Sequence, residues 1–328
     1  MTDDAFPTPG LGEFEAARTR LTGRIRTTPC HDSDASCWRD ALGHDARVAL
    51  KLELWQRTGS FKARGALLAA LDLDAEGLRA GVTAVSAGNH ALAVAFAAAE
   101  VGTTAKVVMP RTADPLRVTR CRELGAQVVL VADVHAAFAE AERIAREEGR
   151  RFLHPFESPA VVRGTGTIAL EILEQVPDVQ DVVVPIGGGG LCAGIAAAFA
   201  RAAAHVRVHG VEPEGADSMT RSFAAGRPVA IDAVRTIADS LGSPRAEPIT
   251  YALCRRHLHG LCRVSDAALR DAMRLLHREL KLAVEPACAA STAATLGPLA
   301  EPLRGRRVVL LLCGSNIDLH SISRLLTD

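Results

Sequence analysis

The chain has 328 residues, 48% hydrophobic and 23% charged, with zero formal net charge and a sequence pI near 7.2. This length and composition suit two globular domains with sizeable cores. Zero net charge argues against nucleic acid or an anionic membrane as partner, because both require a basic face to offset phosphate.

From the N-terminus, Met1–Gly10 carries Asp3, Asp4, Pro7 and Pro9, and lacks the basic start and apolar core of a signal peptide. The longest apolar stretches, such as Ala91–Ala99 and Val308–Cys313, fall short of the ~20 residues of a membrane helix. Valine-rich runs then alternate with alanine- or arginine-rich helical stretches. Strands are predicted at Val48–Leu52, Val82–Ser86, Ala105–Met109, Gln127–Val131, Arg151–His154, Asp181–Ile186, Val206–Val211, Gly260–Val264 and Arg307–Leu312. Helices are predicted at Lys62–Leu71, Asn89–Val101, Pro115–Glu123, Val134–Glu148, Thr165–Gln175, Leu191–Ala203, Asp266–Leu280 and Ala287–Leu296. The alternation implies an α/β fold of parallel sheets covered by helices on both faces, and near-continuous apolar strands fit that burial. Turn-rich Trp55–Ser60 and His154–Gly164 are the expected domain crossings. Eight scattered cysteines without a CxxC read as reduced thiols in a cytoplasmic protein. Cys254, His257, His259 and Cys262 offer zinc-type ligands, but the segment reads better as a helix end, Thr250–His257, followed by a strand, Leu261–Val264.

Four stretches carry chemistry. In Thr58-Gly59-Ser60-Phe61-Lys62, Ser60 is a good N-cap, which puts Lys62 in the first helical turn. There the helix dipole disfavours a cation and suits a nucleophilic amine. Ser86-Ala87-Gly88-Asn89-His90 follows a strand, and its small residues leave backbone N–H groups open to a carboxylate at a helix mouth. His90 itself reads better as a packed or capping histidine than as a catalytic one. Gly187-Gly188-Gly189-Gly190-Leu191 joins a strand to a helix and suits a phosphate. Gly188, Gly190 and Ala193 also satisfy a dinucleotide G-x-G-x-x-A spacing, and Glu212 falls where a ribose-binding acid would. A nicotinamide dehydrogenase is therefore a rival reading, although it leaves Lys62 and Ser86–His90 without a role. Cys313-Gly314-Ser315-Asn316 closes a strand at the ligand-binding edge of a sheet.

In this order, and together with Lys51–Lys62, Ile237-Ala238-Asp239 and Val284-Glu285-Pro286-Ala287, these stretches resemble the fold type II pyridoxal-phosphate enzymes, in particular threonine and serine dehydratases and serine racemases. The resemblance runs from about Ile25 to Leu326. It implies two open, mostly parallel sheets with the active site between the domains. The large cofactor-binding domain would comprise residues 1–54 and 159–328, and the small domain residues 55–158. It also implies a homodimer acting on a small amino acid. Lys62 would hold pyridoxal phosphate as a Schiff base and then act as the base. Phe61 would wall the pocket, and Asn89 would bond the ring hydroxyl. Gly187, Gly188, Gly189, Gly190 and Leu191 would bind the phosphate, and Cys313 would face the pyridine nitrogen. Ser86, Ala87, Gly88, Asn89 and His90 would cradle the substrate carboxylate.

The implied reaction is β-elimination of water from a hydroxy amino acid such as threonine or serine, with hydrolysis of the eliminated product to a 2-keto acid and ammonia. In the racemases a serine stands at the place of Ala87 as second-face acid/base, and alanine cannot transfer a proton. The chain ends soon after Cys313, which fits a catabolic or specialised dehydratase without a regulatory domain. Elimination or replacement on another β-substituted amino acid, and racemisation, stay open. Glu212, Ala216 and Ser218 match the family's cation loop for Mg²⁺ or Ca²⁺. Serine at the last position removes a charged ligand, so a monovalent ion or compensation by Asp217 enters as an alternative. Glu285 is expected near the active site or holding the Cys313 loop.

Overall fold

The computed structural model describes residues 6–327. Residues 1–5 of the stretch read for a leader, and the outermost residues of the expected large domain, lie outside them. The valine-rich runs form two sheets. The larger contains β1 (Cys30–Ser33), β2 (Arg47–Lys51), β7 (Asp181–Pro185), β8 (Arg207–Pro213), β9 (Gly260–Val264) and β10 (Arg307–Leu311), in the order β1-β2-β10-β7-β8-β9. Only β1 runs antiparallel to its neighbour. The smaller sheet is all parallel, in the order β5-β4-β3-β6, from β3 (Val82–Val85), β4 (Ala105–Pro110), β5 (Gln127–Val131) and β6 (Arg151–Phe152). Every residue of β3, β7 and β10 is buried, as expected for strands covered on both faces. No helix among the described residues is long and apolar enough to cross a membrane.

The predicted strands all form, within a few residues at their ends. β1 was not predicted, because Cys30-His31-Asp32-Ser33 is an edge strand with no apolar run. The short helices Leu11–Leu21, Ser36–Leu42, Ala75–Ala80 and Ser218–Ala225 also lack a strong pattern. The helix predicted at Thr165 starts at Pro159, inside the stretch read as a crossing loop. Ser158 accepts from Ala160 N–H and proline follows at the first position, a sound start signal. Gly164 obscured it, at the end of the stretch read as a crossing, and Gly166 lies inside the predicted helix. They are there for close packing: a Cβ would come within 2.8 Å of Arg64 O at Gly164 and 2.3 Å of the Phe14 ring at Gly166.

A buried ion cluster ties this helix to the helix Lys62–Leu71. Arg64 Nε and Nη2 donate to both oxygens of Glu53 at 2.8 and 2.7 Å, and Nη1 donates to Glu171 at 2.6 Å. Lys51 Nζ donates to Glu171 and to Thr28 O, each at 2.6 Å. Lys51, Glu53 and Arg64 have no solvent exposure. The two cations balance the two carboxylates, so the cluster tolerates burial only when complete. Arg64→Met should therefore lower stability by roughly 3–5 kcal/mol, read as a lower unfolding midpoint. An unchanged midpoint would contradict this account.

Candidate active site

Lys62 occupies the first position of its helix, and the segment before it is stitched to the end of β10. Leu54 N–H donates to Leu312 O, Phe61 N–H to Cys313 O and Ser315 N–H to Gly59 O, at 2.9, 3.2 and 3.0 Å. Ser60 and Gly314 form an isolated bridge between the same segments. Thr58 is held at φ 62°, a strained conformation for a β-branched residue, and its carbonyl accepts from Asn316 Nδ2 at 2.7 Å. Gly59 follows at φ 74°, where a Cβ would lie 2.7 Å from Asn316 Oδ1. The expectation that Ser60 caps the helix is corrected. Ser60 is extended, the residue flanking the helix is Phe61, and no side chain caps it. The chain turns in through the bridge with Gly314 instead.

Lys62 Nζ lies 5.2 Å from the Phe61 ring centroid and donates to Pro155 O at 2.7 Å. Burial pulls its pKa from 10.5 down to about 8, opposed by nearby Cys313 and Glu285. Enclosure is thus the main cause, where the sequence suggested the helix dipole. Cys313 is buried, and its contact with the Cys288 thiol, with burial, holds its own thiol well above the ordinary range. It is therefore a neutral group beside Lys62.

The four glycines lie between β7 and the helix Gly190–Ala202, whose first N–H groups have no acceptor within the helix. No side chain fits there. A Cβ on Gly188 would sit 2.2 Å from the Phe156 ring, and one on Gly187 3.0 Å from Leu241 Cα. The bare backbone suits a phosphate.

At the end of β3, Ser86 Oγ accepts from Gly88 N–H at 3.0 Å. Asn89 is buried against Glu285: its Nδ2 donates to Glu285 Oε1 at 2.7 Å, and its Oδ1 accepts from Asn316 Nδ2 at 2.6 Å. One Nδ2 proton of Asn89 remains available. His90 is packed and bonded to Leu153 O at 2.8 Å, and burial lowers its pKa to about 3. It is a neutral structural histidine. Burial also lowers His154, to about 4, and its Nδ1 accepts from Glu157 N–H at 2.8 Å.

In the expected cation loop Glu212 and Asp217 are held by protein partners, while Ser218 Oγ is buried without one. Glu212 accepts from Met219 N–H, Thr220 N–H and Thr220 Oγ1 at 2.6–2.8 Å, which caps the helix Ser218–Ala225. Asp217 is paired with Arg221 and Arg263. Among the described residues no three His, Cys, Asp or Glu side chains group as a metal site would require. The cap turns the Glu212 carboxylate onto its own helix, which leaves it unsuited to a ribose. Cys254, His257, His259 and Cys262 also separate: towards Gly189 O, Thr8 Oγ1, the His209 ring and Gly210 O respectively.

Pyridoxal phosphate does fit. Beside the enclosed amine, the glycine turn and the neutral thiol, the buried atoms Thr58 Oγ1, Ser60 Oγ and Glu285 Oε2 have no protein partner. Sequence reasoning missed Pro155, Phe156 and Arg117. Pro155 and Phe156 lie in a turn without a motif, and Arg117 has the pattern of an ordinary helix arginine.

The family model for pyridoxal-phosphate dependent enzymes matches residues 21–314. A phenylserine dehydratase of Ralstonia pickettii is 49% identical over 98% of this chain and 97% of its own. The catabolic L-threonine dehydratase of Escherichia coli K12 is 38% identical over 96% of this chain and 95% of its own. The structure of maize serine racemase superposes with a TM-score of 0.91 at 31% identity, over 98% of each chain.

Burial, with nearby Asp239, raises Glu285 from 4.5 to about 7. An acid whose folded pKa exceeds its unfolded value binds more protons when folded, so its contribution is present below pH ~4.5 and lost as pH rises through ~7. The shift corresponds to about 3 kcal/mol. Glu285→Gln should flatten the fall in stability between pH 5 and 8, measured as unfolding midpoints. Parallel pH curves for the two proteins would refute the assignment.

Proposed function

The chain belongs to the pyridoxal-phosphate dependent enzymes, and on that premise we propose a dehydratase that eliminates water from a β-hydroxy amino acid, the released enamine then taking up water to give a 2-keto acid and ammonia. The observation that carries this reading is Lys62: a part-buried amine bonded to Pro155 O, with its pKa pulled to about 8, beside a neutral thiol and a buried glutamate.

Lys62 would hold the cofactor, the backbone of Gly187–Leu191 its phosphate, and the spare Nδ2 proton of Asn89 its ring hydroxyl, with Phe61 as wall. Bound pyridoxal phosphate supplies the electron sink for negative charge at the substrate α-carbon. The loop Ser86–His90 holds the substrate carboxylate and orients the α-proton through the N–H groups of Ala87, Asn89 and His90, those of Ser86 and Gly88 being bonded to Val108 O and Ser86 Oγ. A lysine titrating near 8 has a usable neutral fraction at physiological pH, and Nζ takes that proton. The thiol of Cys313 is a weak hydrogen-bonding group and need not protonate the ring nitrogen. A moderate electron sink of that kind favours expelling the β-hydroxyl over storing charge. Ala87 offers no acid on the second face, which supports elimination over racemisation, and the neutral imidazoles of His90 and His154 are turned to protein partners.

Threonine and serine are the proposed substrates. A β-aryl hydroxy amino acid is a second reading, favoured by Phe156 and His154, which pack edge to face at 4.7 Å beside Pro155. The similarity to a phenylserine dehydratase points the same way. A cytoplasmic location is supported by eight free cysteines. Assembly as a homodimer, and a small domain of residues 55–158 beside a large one of 1–54 and 159–328, rest on the family resemblance.

Purified protein given L-threonine, L-serine and 3-phenylserine should release 2-keto acid and ammonia, with a near-visible absorption band. Lys62→Ala should lose the band and at least about 10³-fold in rate. A yellow wild-type protein inactive on all three would overturn the substrate class. A colourless one would overturn the whole reading.

A further inference from the structure

Arg117, on the helix Pro115–Glu123 after β4, has no role in the reaction described so far. Its guanidinium reaches from the four-stranded-sheet side to the segment after β10 and to Asp239. Nε and Nη2 both donate to Asn316 O, at 3.1 and 2.7 Å, and Nη1 pairs with Asp239 at 3.0 Å. The same Nη1 lies 3.5 Å from Ala87 O, and also 3.5 Å from where a Gly88 Cβ would be. A mostly buried cation thus sits behind the loop on which the substrate carboxylate is placed, its side chain only 12% exposed. Its partner Asn316 in turn donates to Asn89 Oδ1.

We propose that Arg117 is a positioning residue for substrate binding: clamped between Asn316 and Asp239, it holds the Ala87 carbonyl and so aims the free N–H groups of Ala87, Asn89 and His90 at the carboxylate. A guanidinium suits this because its fixed fork reaches several acceptors at once. With the Ala87 carbonyl on Arg117 and Gly88 N–H on Ser86 Oγ, that peptide plane is fixed, and with it the direction of the N–H groups on either side. The positive charge of Arg117, one residue layer behind, also favours an anion there. The inference rests on the carboxylate reading of that loop.

The test compares L-serine with L-serinamide, which lacks the carboxylate, in wild type, Arg117→Met, Arg117→Lys and Asp239→Asn. Arg117→Met should raise KM for L-serine about tenfold or more with a much smaller change in kcat. KM for the amide should stay near its wild-type value, and so should pyridoxal-phosphate affinity measured by titrating the absorption band. Lysine supplies the charge without the fork and should rescue only part of the loss, and Asp239→Asn should reproduce part of it in a chain that keeps Arg117. If KM rises equally for acid and amide, or cofactor affinity falls in step, Arg117 has a general structural role and the proposal fails. If wild type itself handles the amide as well as the acid, the carboxylate reading fails first.

Discussion

The architecture depends on a complete set of charges in a place without water. Arg64 sits two residues after Lys62 and is fully enclosed, bonded to Glu53 on the approach to the lysine and to Glu171 on the long helix Pro159–Gln175. Lys51, at the end of β2, closes the set. Such a cluster contributes little net stability over a well-packed apolar one. What it does supply is a single permitted geometry, because any displacement of the lysine helix strands a buried charge. The first turn of that helix is further fixed by the bonds to Cys313, Gly314 and Ser315.

Within the pocket the protein withholds charge. Enclosure drives Lys62, His90 and His154 down and Glu285 up, and Cys313 stays a thiol. A zwitterionic substrate and a phosphorylated cofactor would bring their own charges into a space whose own groups are held close to their neutral forms. Fixed N–H dipoles receive them there at higher effective strength than in water. The persistent cation, Arg117, is kept at the back of the loop and neutralised by Asp239.

Much of this could be read from residue order. Strands with both faces apolar announce themselves, and glycine turns at strand ends mark where an anion can approach backbone. Lys62, the four glycines and Cys313 were legible for that reason, and their neighbourhood in space follows from parallel strands presenting carboxyl ends along one edge. What was not legible depends on contacts between distant segments. Ser60 has the composition of a cap, yet its backbone is pulled into a bridge with Gly314. Glu212 has the spacing of a ligand, yet it turns onto the helix Ser218–Ala225. Gly164 and Gly166 look like helix breakers, yet they are close-packing positions inside a helix. Pro155 acquires meaning only because the lysine reaches it across 93 residues.

The parts that recognise and the parts that react are carried by different sheets. The glycine turn and Cys313 end strands of the six-stranded sheet, and the ion cluster anchors the lysine to the same frame. The Ser86–His90 loop and Arg117 follow β3 and β4 of the other sheet. The two sets are nonetheless tied, because Asn89 bonds to Glu285 and Asn316, and Arg117 to Asn316. A scaffold joined in this way has to let its two halves evolve in step.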